Sequence, residues 1–130
     1  MPEGLRRWFV IHFAVDLLFA LPLMLVPEQL LGFVGWSNID PVAARLVAAA
    51  LLGIGIESYL GRDAGYEAYE GMLNLKIIWS LAAMLALGLG LLEGSEPAWL
   101  LWALLLIFAG FNLVWLYWRL RLARIGGRIK

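Results

Sequence analysis

The apolar positions of the chain fall in long blocks rather than short alternations. Runs with few or no charges extend over Trp8 to Val26, Pro41 to Leu60, Met72 to Leu92 and Pro97 to Trp118. Each is close to the ~20 residues that a helix needs to cross the hydrocarbon core of a bilayer, and a helix satisfies its own backbone polar groups, as hydrocarbon demands. The pattern predicts an all-α membrane protein, a single bundle of four transmembrane helices over residues 1–130. Local signals set the boundaries. Asp40 followed by Pro41 reads as an N-cap with proline in the first turn. Gly61 is expected to end the second helix in a left-handed cap, and Glu93 to Pro97, "EGSEP", forms a tight turn that makes the last two helices antiparallel neighbours. Pro22 lies inside the first block, where it is expected to kink or loosen the final turns.

Polar residues punctuate the blocks asymmetrically. Arg6 and Arg7 precede the first, Arg62 falls between the second and third, and Arg119, Arg121, Arg124, Arg128 and Lys130 follow the fourth. The opposite connections, "PEQLLGFVGWSNID" and "EGSE", contain acids and no Lys or Arg. The positive-inside rule therefore predicts both termini on the cytoplasmic side. Trp99 and Trp102 at the predicted outer end of the last helix, and Trp115, Tyr117 and Trp118 at its inner end, read as interface anchors. Leu30, Leu31, Phe33, Val34 and Trp36 of the long outer connection are expected to lie in the interface as a short helix or turn. The loop "GRDAGYEAYEG" reads as a solvated turn, with Tyr66 and Tyr69 at the headgroups. The basic tail is expected to continue the last helix briefly, fray at Gly126 and Gly127, and touch anionic headgroups. No internal repeat is visible.

Composition agrees with this reading. Of the 130 residues 63% are hydrophobic and 15% charged, with a mean hydropathy of +0.84, too little polar surface to cover a soluble core of this size. Ten basic and ten acidic side chains cancel, so nothing points to nucleic acid as a partner. With no cysteine, thiolate metal sites and disulfides are excluded. "RRWFV" resembles part of an export signal, but the apolar run is longer than a signal core, no small-residue cleavage site follows, and three more blocks come after it. The expected location is the cytoplasmic (inner) membrane of a bacterium or archaeon.

The candidate chemistry lies inside the spans. Counting at ~1.5 Å per residue from the predicted cytoplasmic ends puts Glu57 and Lys76 about 5 Å deep, His12 about 6 Å, Asn112 about 9 Å and Asp16 about 12 Å. Glu57 and Lys76 fall level, which predicts an ion pair, and their structural reading is interhelical glue, with snorkelling open to Lys76, Glu57 and His12. Ser80 lies one turn above Lys76, and Asp16 one turn above His12, giving two polar ladders. A charge at mid-span costs about 2.5–3.5 kcal/mol, so Asp16 must be paired, neutral or facing water. With His12 it makes a candidate proton or ligand site. Trp79 either faces lipid or forms one wall of a pocket beside Asp16. Arg45 is expected to snorkel or to cap against Asp40, ahead of binding a lipid phosphate. Ala44, Ala48, Ala49, Gly53 and Gly55 allow close approach and suggest that the second helix is central or an oligomer seam. "GIG" there lacks the preceding strand of a phosphate loop. One histidine without further ligands predicts no metal, and no cofactor is implied. No catalytic signature is present.

The run from "PEQLLGFVGW" through "DPVAARLVAAALLGIGIESYLGR" resembles small bacterial four-helix membrane proteins, and the overall layout is similar to the DoxX-like group. That resemblance carries no functional residue with it. The sequence leaves three classes open: a homo-oligomeric protein binding or passing a small hydrophobic or ionic ligand, with Asp16 and His12 as its site and Glu57, Lys76, Ser80 and Asn112 as a polar cluster or gate; a scaffold whose polar groups lock packing; and a membrane enzyme acting on a lipid or isoprenoid. Membrane lipids are the partners common to all three.

Overall fold

In the computed structural model residues 1–129 are described, with side chains through Gly127; Lys130 and the Arg128 side chain, both assigned above to the basic tail, lie outside the described residues. Among these residues all regular structure is helical: α1 (Glu3–Leu25), α2 (Pro27–Phe33), α3 (Pro41–Leu60), a 3-10 turn at Gly61–Asp63, α4 (Tyr66–Leu92) and α5 (Ala98–Ile129). The four long helices are each long and apolar enough to cross a membrane, as the block pattern predicts.

Three helices extend past their predicted ends, each time through a charged stretch. The first begins at Glu3 rather than Trp8, because Glu3 pairs with Arg6 at 3.3 Å and Arg7 at 3.6 Å on successive positions of one face, while Leu5 is fully buried. The fourth begins at Tyr66 rather than Met72. Tyr69, expected at the headgroups of a solvated turn, is instead fully buried. The fifth runs through Gly126 and Gly127 to Ile129 without fraying. Gly126 is buried against Tyr66, whose ring occupies the space where a Cβ would stand. Pro22 sits inside α1 without ending it, and the Val26 amide donates to the Pro22 carbonyl at 2.8 Å.

The chain divides into two compact units, Met1–Asp63 and the part from Ala64 onward. Each is a helical hairpin: α1 packs along α3, with α2 in the connection, and α4 packs along α5. The connections contain the two positive-φ glycines, Gly35 (φ 93°) and Gly94 (φ 76°). Both end a helix in the same way. Trp36 N–H donates to the Leu31 carbonyl and Gly35 N–H to Gly32, while Ser95 donates to Gly90 and Gly94 to Leu91. This crossed pair of bonds needs a left-handed residue at its centre, which glycine adopts without Cβ strain. Gly61, expected in that conformation, has φ −83° and passes α3 into the 3-10 turn instead. Asp40 caps α3 as predicted, its Oδ1 accepting from Val42 N at 2.9 Å and Ala43 N at 3.3 Å. Arg45 does not turn to Asp40; its Nε donates to the Met24 carbonyl at 3.0 Å, satisfying one of the orphan acceptors at the end of α1.

The two hairpins repeat one another in burial, contrary to the absence of a repeat in the sequence. On α1 the buried positions Leu5, Phe9, His12 and Asp16 recur on α4 as Tyr69, Leu73, Lys76 and Ser80, a constant separation of 64 residues. On α3 and the 3-10 turn after it the buried Gly55, Ser58 and Gly61 recur at Asn112, Trp115 and Trp118 of α5, a separation of 57. Both hairpins are also latched at the open end, where their two helices do not turn into each other. Arg6 binds Asp63 and donates to the Arg62 carbonyl at 3.3 Å. Arg119 binds Glu70 at 2.5 Å and Asn74 at 2.8 Å. The charge order is swapped: the first helix brings the cation in one latch and the anion in the other.

Candidate functional site

The buried polar residues follow directly from this repeat, because positions spaced by three and four line the face of a helix that meets its hairpin partner. In the first hairpin that face carries His12 and Asp16, 6% and 5% exposed. Asp16 stands about 14 Å along the helix from Arg7, the nearest charged residue before it, and about 14 Å from the end of α1, at ~1.5 Å per residue. His12 Nδ1 lies 3.4 Å from Asp16 Oδ2. Gly55 of α3 makes room for the pair: a Cβ there would stand 2.7 Å from the Asp16 Cβ and 3.2 Å from Oδ2. Beside it Ser58 is buried and donates to the Ile54 carbonyl at 2.8 Å, and Phe13 packs on Tyr59 at 4.7 Å between ring centroids.

The second hairpin assembles different chemistry on the same framework. Lys76, expected to be able to snorkel, is 2% exposed, and its Nζ lies 5.1 Å from the Trp115 ring centroid, a cation–π distance. Ser80 Oγ donates to the Lys76 carbonyl at 2.8 Å and accepts from Asn112 Nδ2, also at 2.8 Å. Asn112 further reaches the Ile77 carbonyl at 3.3 Å. Ser80 and Asn112 are therefore joined across the hairpin, as two groups of one polar layer. Trp79 packs edge-on against Phe108 at 6.3 Å, within this hairpin. Glu57, expected level with Lys76, is on the exposed side of α3.

These clusters differ in what they can do. Ser80 and Asn112 have spent their hydrogen atoms on each other and on carbonyls, the arrangement of interhelical glue. A histidine and a carboxylate one turn apart can share or exchange a proton and can present both a donor and an acceptor to a ligand. No group of three or more His, Cys, Asp or Glu suited to a metal ion occurs among the described residues. The contribution of Gly55 was not legible in the sequence beyond its small size; its register against Asp16 depends on how α1 and α3 pack. Arg119, Glu70 and Asn74 were likewise hidden, since their contact joins residues more than 40 positions apart. Compared with protein-family models, curated proteins and solved structures, the chain matches none.

Proposed function

We propose that this is a multi-pass protein of the cytoplasmic membrane that binds or passes a small molecule or ion, with His12 and Asp16 as a proton or ligand site. In this reading both termini are cytoplasmic and the protein works as a homo-oligomer. The observation that carries it is the buried carboxylate in the middle of an apolar helix, 3.4 Å from the only histidine of the chain. Keeping an ionisable pair at that depth costs folding energy that an apolar pair would not, so function is the default reading. Four helices long and apolar enough to span support the membrane setting.

The test is proton flux into vesicles carrying the purified protein, driven by a valinomycin-clamped potassium gradient, together with mass spectrometry of small molecules that co-purify. Wild type is expected to admit protons or to retain a molecule, and Asp16→Asn to reduce the flux to that of empty vesicles or to release the molecule while keeping helical content. A packing role is favoured by one observation, the close fit of Gly55 against Asp16. Asp16→Asn and His12→Ala variants that alter only stability would replace the proposed function with that role.

A further inference from the structure

The end of α5 carries a feature that the His12–Asp16 site does not use. At ~1.5 Å per residue the 32 residues of α5 span about 48 Å, well beyond a hydrocarbon core of roughly 30 Å. Counted from Ala98, Arg121 and Arg124 then stand about 5 and 9 Å past that core, at the depth of phospholipid headgroups. Both are exposed. Together with Tyr117, Leu120 and Ile125, which lie on the same face of α5, they line a shallow groove open to the outside.

Three residues fix this segment. Arg119 is held by Glu70 and Asn74, Gly126 is seated on Tyr66, and Arg121 donates to Tyr117 Oη at 2.9 Å with its guanidinium 5.4 Å from the Trp118 ring. The arginine is thus preorganised with donors remaining. No acid occurs anywhere on α5, and Glu70, the acid placed beside it, is committed to Arg119. The groove combines two cations with aliphatic side chains, which suits an amphiphilic anion better than a fully hydrated one.

We propose that Arg121 and Arg124 hold the phosphate of an anionic phospholipid in this groove, with Tyr117 and Leu120, the lining residues nearest the core, against the upper part of its acyl chains. The inference rests on α5 crossing the membrane and is independent of any role for His12 and Asp16. Its test uses the full chain in non-ionic detergent, titrated with dioctanoyl phosphatidylglycerol or dioctanoyl phosphatidylcholine and read by native mass spectrometry. Phosphatidylglycerol is expected to bind more tightly. Arg121→Gln and Arg124→Gln should each weaken it about fivefold and the double variant about thirtyfold, from the usual contribution of a basic side chain near a charged lipid surface. Arg7→Gln, an exposed arginine of the first hairpin, serves as the control and should leave binding unchanged. Equal binding of the two lipids, unchanged binding by a folded double variant, or displacement of the lipid by millimolar inorganic phosphate would each overturn the assignment, the last by showing a site for the free anion.

Discussion

At Gly55 a single missing methyl decides whether α1 and α3 can meet. The nearest atom to a Cβ there is the Asp16 Cβ at 2.7 Å, which is tied to the backbone and cannot swing aside. Gly55→Ala is therefore expected to destabilise the protein by about 1–3 kcal/mol, the usual cost of overpacking. Gly53→Ala, two residues away with nothing within 4 Å of its Cβ, should remain within about 1 kcal/mol of wild type. Unfolding by sodium dodecyl sulfate in mixed micelles measures the difference, and equal effects would show that Asp16 does not press on α3. At this scale the sequence was informative about neighbours on one helix and silent about neighbours on two. His12 and Asp16 were legible as a pair because helical geometry alone brings positions four apart together. The fit of Gly55 depends on the register of a second helix, which no local pattern encodes.

Among the elements, the apolar blocks located every long helix but misplaced several ends. Hydropathy stops at the first charge, whereas a helix continues wherever the charge finds a partner, as Glu3 does with Arg6 and Arg7 and Glu70 does with Arg119. Capping is more local and was read more closely: Asp40 and the turn at Gly94 act as the sequence suggests, while Gly61 does not because its chain tightens into a 3-10 turn. The α4–α5 pair also offers a measurable bond. A double-mutant cycle on Ser80→Ala and Asn112→Ala is expected to give a coupling of about 0.6 kcal/mol, and no more than about 1.7, the range of hydrogen bonds between membrane helices. A coupling near zero would mean that the 2.8 Å contact between them contributes nothing to holding the hairpin. The repeat between hairpins escaped the sequence for a physical reason. What recurs is burial, and the recurring positions hold unlike residues: histidine and lysine, aspartate and serine, glycine and asparagine.

For the whole molecule, threading is the property most open to experiment. The chain has no cysteine, so single substitutions give clean reporters of sidedness. In intact cells stripped of their outer layers, a membrane-impermeant maleimide is expected to label Glu28→Cys but to label Glu3→Cys and Glu67→Cys only after permeabilisation. These three positions are exposed on their helices. Labelling of the latter two from outside, with Glu28→Cys protected, would invert the orientation drawn from the arginines. The charge-swapped latches carry a consequence for biosynthesis. Arg6 and Asp63 belong to the first half of the chain, and Glu70 and Arg119 to the second. As the polypeptide leaves the ribosome amino end first, the first latch has both its partners once residue 63 has emerged, before any of α4 has followed it out. Opposite charge orders also mean that Arg6, searching for its acid, meets an arginine, Arg119, and not an acid on the second helix of the later half. The swap discourages mispairing between halves during insertion, the period in which two similarly shaped hairpins are most easily confused.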